Sequence, residues 1–136
     1  MKLSMKDRIQ IDNTVSQLSG SFEEQIFIEG LRNDIKMSES EVKKSGLHTV
    51  QGQIIWNKDI EKDIDMSKER FDVIKKGVLQ IAETGNIPFL VESEFFQNLK
   101  LTKTDKKVLT DLVDKLSDAG KINQGNLLIC KKIKAL

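Results

Sequence analysis

Between Lys68 and Thr84 apolar side chains return with the pitch of an α-helix. Phe71, Ile74, Val78 and Ile81 fall on one stripe, with Leu79 and Ala82 alongside. Ser67 stands where an N-cap hydroxyl belongs, Gly85 supplies a left-handed stop, and Pro88 prevents re-entry. A helix so one-sided must have its back against a core. Val73-Ile74, Val78, Ile81 and Gly85-Asn-Ile87 are echoed at an offset of 35 by Val108-Leu109, Val113, Leu116 and Gly120-Lys-Ile122. Any helix closed by Gly-X-Ile gives such a match, and a single pair falls short of a repeat architecture.

The echo lies within Leu101–Lys132, the segment around which the rest of the chain is read. Thr102 and Thr104 both qualify as caps for a last helix with the stripe Val108, Leu109, Leu112, Val113 and Leu116. Each such side chain contributes roughly 1.5–3 kcal/mol when buried, so the helix must dock. Its outer face carries Lys103, Lys106, Lys107, Thr110, Asp111, Asp114 and Lys115. Lysines in the first turn oppose the helix dipole at a cost of roughly 0.3–1 kcal/mol, which leaves solubility or a phosphate-facing helix start as reasons. Beyond Gly120, a turn through Gly125 and the apolar run Leu127–Ile133 predict a C-terminal hairpin near 120–133.

The first half is also mostly helical in pattern. Met5–Leu18 reads as a helix with Ile9, Val15 and Leu18 on one side and Ile11 close to it. Ser21 and Glu24 form a capping-box pattern before Phe22–Lys36, whose stripe is Phe27, Ile28, Leu31 and Ile35. Ser38 and Glu41 repeat the box for a short helix closed by Gly46. The period then changes: Leu47–Asn57 reads as a hairpin or bent strand with Trp56 anchoring it to the core. Lys58–Asp65 is a polar connector or an edge strand, Ile87–Val91 a short strand, and Ser93–Leu99 a short helix. Gly30 and Gly77 sit inside helix patterns at a cost of about 1 kcal/mol each against Ala, which predicts a close neighbour at both.

The predicted class is α+β and predominantly helical: five to six helices, a small hairpin near 47–57 and the C-terminal one. Residues 1–65 and 66–136 read as two parts of one compact unit, the second arranged like a winged helix. With 38% hydrophobic and 32% charged residues the chain lies outside the compositional range of disorder. Its net charge of +1 hides an asymmetry. Residues 1–99 hold 13 Lys/Arg against 17 Asp/Glu, and residues 100–136 hold nine Lys against four Asp. The lone Cys130 excludes an internal disulfide and fits a reducing compartment. Lys2 and Lys6 are followed by no apolar run of signal-peptide length, and no segment is apolar enough to span a membrane, so the expected location is the cytoplasm of whichever cell makes the chain.

Catalytic constellations are sparse. His48 has no second His or Cys with which to build a metal site or triad, and Cys130 reads as a small core residue. Glu61, Asp63 and Asp65 lack the glycine and the spacing of a calcium loop. No phosphate-loop or dinucleotide fingerprint occurs. The expectation is a protein that is not an enzyme, with no metal and no cofactor.

Residues 1–99 resemble small uncharacterised proteins of tailed-phage and prophage genomes from low-GC bacteria. The likeness rests on the starting MKL, the helix ending K-M-S-E-S-E, the segment Gly52–Asn57 (G-Q-I-I-W-N), and S-K-E-R-F-D-V-I-K-K-G-V-L before the Gly-X-Ile stop. It implies a phage-type accessory protein in the cytoplasm of a bacterial host and names no target. Residues 100–136, the basic ones, lie outside it.

Two functions follow as expectations. One is a phage or prophage accessory protein that docks on a host or phage protein, using Trp56, Phe95 or Phe96 if any of these is exposed, although core packing is the default for aromatics. The other is a winged-helix regulator binding duplex DNA through Lys103, Lys106, Lys107 and Lys115 of the last helix and Lys121, Lys131 and Lys132 of the wing. Arg is absent after Arg70, and Asp111, Asp114 and Asp118 would repel phosphate. Homodimerisation is left open by both.

Overall fold

The computed structural model describes all 136 residues. In chain order it has β1 (Lys2–Leu3), α1 (Met5–Ser16), α2 (Phe22–Ile35), α3 (Glu39–Ser45), β2 (His48–Val50), β3 (Gln53–Ile55), β4 (Lys62–Asp63) and α4 (Lys68–Glu83). Two 3-10 turns, Phe89–Glu92 and Glu94–Asn98, lead to α5 (Lys103–Asp118) and α6 (Leu127–Lys134). The fold is a predominantly helical α+β unit with two antiparallel two-stranded pairings, β1 with β4 and β2 with β3. No helix is long and apolar enough to cross a membrane.

Hydroxyl caps start five of the helices. Ser4, Ser21, Ser38, Ser67 and Thr102 each accept a hydrogen bond from the backbone N–H three residues on. At Ser38 and Thr102 the box is complete, because Glu41 and Asp105 reach back to the cap N–H. At Ser21 it is not: the Glu24 carboxylate instead accepts from Lys76 Nζ at 2.8 Å, tying α2 to α4.

One hydrophobic cluster runs through the molecule. It joins Ile11 and Val15 of α1, Ile74 and Val78 of α4, Leu109 and Leu112 of α5, and Ile129 and Ile133 of α6. α4 lies between α1 and α5, α6 packs on α5, and the first 3-10 turn fills the gap between α1 and α6. Phe71 stacks nearly parallel on Phe95, with ring centroids 5.7 Å apart.

Five expectations are corrected. The predicted C-terminal hairpin is the helix α6. Pairing as a strand would have put Lys131 on the same face as Ile129 and Ile133, whereas helical spacing buries Ile129, Cys130 and Ile133 together and leaves the lysines in water. The turn before it is held by Asn123 Oδ1, which accepts from the N–H groups of Gly125 and Asn126. The predicted strand at Ile87–Val91 is a 3-10 turn, with Val91 N–H donating to Pro88 O and Ser93 N–H to Leu90 O. Its main neighbours are α1, α6 and the second 3-10 turn, and it joins neither strand pairing, so its backbone groups are met within the turn. With neither strand present, the winged-helix arrangement of the second half is not formed. In α2 the buried stripe is Ile28, Leu31 and Ile35, and Phe27 is rotated to the flank, 37% exposed. Gly30 has nothing within 4 Å of where a Cβ would stand; Gly77 does have its close neighbour, Thr14 of α1.

Candidate protein-interaction arm

The thirteen residues from Ser45 to Asn57 contain no Lys, Arg, Asp or Glu, in a chain where 32% of residues are charged. They build the β2–β3 hairpin. Gln51 and Gly52 both take positive φ, 51° and 78°, which is a type I′ turn, the two-residue link that matches the twist of the paired strands. Val50 pairs with Gln53, Thr49 with Ile54, and His48 with Ile55.

All six strand residues are exposed. Alternation puts His48, Val50, Gln53 and Ile55 on one face, and Thr49 and Ile54 on the other. Ile54, 51% exposed, and Val50 and Ile55 therefore carry aliphatic surface into water on both faces. The expected anchoring of this hairpin to the core by Trp56 is not seen: Trp56 is half-buried and stands outside the core cluster. A lone two-stranded hairpin is marginally stable in water, so its position has to be fixed at the root.

That root is rigid. Ser45, fully buried, accepts from the N–H groups of Asn57 and Lys58 at 2.8 and 3.1 Å, which closes the base of the arm. Gly46 takes φ 70° there, and a Cβ would collide with the Asn57 amide, so glycine is required on both counts. His48 Nδ1 lies 2.6 Å from the Gly46 carbonyl oxygen and steadies the first strand.

Behind the root stands Arg8, whose side chain is completely buried. Its Nε donates to Ile35 O at 2.9 Å and its Nη2 to Lys36 O at 2.8 Å, satisfying carbonyls at the C-terminal end of α2. The same guanidinium makes a bidentate pair with the Glu41 carboxylate, at 2.6 and 3.0 Å. Hydrogen bonding from Arg8 holds the Glu41 carboxyl down at about 2, against burial, which pushes it up; the Ser38 N–H adds to the lowering. One side chain thus ties α1, α2 and α3 together and fixes the helix from which the arm springs. Sequence reading missed Arg8. Its signal was present in the spacing Met5, Arg8, Ile11, Val15, which places a charge among the buried positions of α1.

The other predicted residues fall elsewhere. Phe95 and Phe96 are buried in the core, and neither is available to a partner. Lys103, Lys106, Lys107, Lys115, Lys121, Lys131 and Lys132 are all exposed, but they are spread over α5, the following turn and α6, with Asp111, Asp114 and Asp118 between them. Burial pushes the Cys130 thiol up, away from the reactive thiolate form. No group of three or more His, Cys, Asp or Glu is arranged to hold a metal ion. A groove of about 570 Å3 between α1 and the end of α4 is lined by Gln10, Asn13, Gln17, Asn86 and Phe89 among others, without an ionisable side chain. A second exposed apolar feature lies on α2, where Phe22 is 78% exposed and Ile26 follows one turn later.

No family model matches the chain, and no curated protein or solved structure matches it either.

Proposed function

We propose that this chain is a protein-interaction domain that docks through the 45–57 arm, and that it acts as an accessory protein of the phage or prophage type without chemistry of its own. The observation that carries the reading is an uncharged hairpin whose six strand residues are all exposed, held on a root closed by hydrogen bonds. Sheet edges exposed to water are ordinarily guarded by Lys, Pro or a covering element. This hairpin has none of these guards, and its aliphatic side chains face solvent on both sides. Extended partners recognise such edges by main-chain pairing, with side-chain contacts giving specificity.

The test compares partner capture from a bacterial lysate by the native chain and by Val50→Lys and Ile54→Lys. Both variants should lose a co-purifying protein while keeping the native circular dichroism and melting temperature. Capture unaffected by either lysine, in a chain that also stays monomeric, would sink the proposal. The duplex-binding alternative retains exposed lysines at the start of α5 but has no wing. Salt-sensitive duplex binding abolished by Lys106→Glu/Lys107→Glu would favour it; under the arm reading that double reversal leaves capture intact.

A further inference from the structure

Resting on the arm reading, we infer that the partner received by the β3 edge is a second copy of this chain, added antiparallel across a two-fold axis through Ile54. The register fixes which backbone groups are free. With a two-residue turn, Val50 and Gln53 exchange hydrogen bonds across the hairpin, as do His48 and Ile55. Thr49 and Ile54 form the intervening pair, whose N–H and C=O groups point outward, Thr49 from the β2 edge and Ile54 from the β3 edge. Neither residue makes a backbone hydrogen bond outside the hairpin.

Three features make the β3 edge complementary to itself. The segment Gly52-Gln-Ile-Ile-Trp56 is centred on Ile54, so an antiparallel copy exchanges two reciprocal N–H to O=C bonds between the two Ile54 residues. The same register sets Trp56 of each copy beside Gly52 of the other. Gly52 has nothing within 4 Å of where a Cβ would stand, which leaves space for an indole ring over it. Finally, an edge carrying charge would meet the same charge at a two-fold axis, whereas Ser45–Asn57 carries none, so two copies approach without like-charge repulsion. The result is a four-stranded sheet in the order β2, β3, β3, β2, which relieves the marginal stability of each isolated hairpin.

The experiment is sedimentation equilibrium of the full chain through the micromolar range, together with residue-resolved amide exchange. Ile54→Pro removes only the outward N–H, and Thr49→Pro does the same on the opposite edge. The native chain and Thr49→Pro are expected to dimerise, with Ile54→Pro weakened by about tenfold or more. Ile54→Asp, which keeps the N–H and sets two carboxylates together at the axis, should weaken it likewise and serves as the control should proline disturb the hairpin. In the native chain, exchange at Ile54 should slow as concentration rises while exchange at Thr49 does not. A native chain that stays monomeric, or a dimer indifferent to both Ile54 variants, overturns the inference. If it is monomeric and Ile54→Lys still abolishes lysate capture, the arm docks a foreign strand and only the second-copy assignment fails; if capture is also unaffected, the arm reading itself falls.

Discussion

Arg8 is the side chain on which most of the first half depends. A buried guanidinium whose partners are removed, or a buried carboxylate left alone, costs roughly 3–5 kcal/mol, so Arg8→Ala should lower stability by that order in urea unfolding. The Glu41 end of the pair gives a pH signature. Its carboxyl titrates near 4.5 ordinarily and at about 2 in the folded chain. A depressed folded value means that the stabilisation is complete above the ordinary value and is lost as pH falls from about 4.5 toward 2. Allowing for screening by solvent, the loss is on the order of 2 kcal/mol. Asp105 adds to it in the same direction: burial pushes its carboxyl up, but the Thr102 N–H and Lys75 together hold it below its ordinary range. Unfolding free energies measured from neutral pH down to pH 3 should therefore fall, and Glu41→Gln should flatten much of that slope. A slope unchanged in Glu41→Gln would remove Glu41 from the account.

At the scale of elements, two helix glycines that look alike in sequence part company in three dimensions. Gly30 faces open space, so Gly30→Ala should stabilise α2 by roughly 0.5–1 kcal/mol through helix propensity alone. At Gly77 an added Cβ would meet the Thr14 methyl at 3.0 Å and its carbonyl oxygen at 3.3 Å. Thr14 cannot easily yield, because it is buried and its hydroxyl donates to Gln10 O at 2.7 Å. Gly77→Ala should therefore lower the melting temperature, and a rise in both variants would contradict the packing described. The caps and glycine stops were legible because they are local: hydroxyls at 21, 38, 67 and 102, and left-handed glycines at 46, 85 and 120. What escaped was tertiary. Leu127–Ile133 is rich enough in branched residues to read as a strand, and only its place against α5 and the first 3-10 turn selects the helical face. Arg8 escaped for the same reason, since its acceptors lie 27 to 33 residues away.

For the molecule as a whole, the body and the arm obey different rules. The body hides its apolar stripes and covers itself with mixed charge, whereas the arm carries no charge and exposes aliphatic side chains. Because the arm adds nothing to the core cluster, Val50→Lys and Ile54→Lys should change the unfolding free energy of the dilute, unpaired chain by no more than about 0.5 kcal/mol, a separation of binding from stability that a buried site would not permit. In the sequence the hairpin and its turn were visible in Q-G-Q-I-I-W, but its exposure was not: branched residues beside a tryptophan read equally well as a strand facing the core. The two edges of the arm also have a consequence for how the protein behaves when concentrated. Pairing through β3 uses one edge of each hairpin and leaves β2, with Thr49 at its centre, facing outward at both ends of the sheet. A closed pair stays soluble only while those outer strands find nothing to stack against. The route from a discrete assembly to an open-ended ribbon therefore passes through Thr49, and a single lysine there is the gatekeeper this sheet lacks.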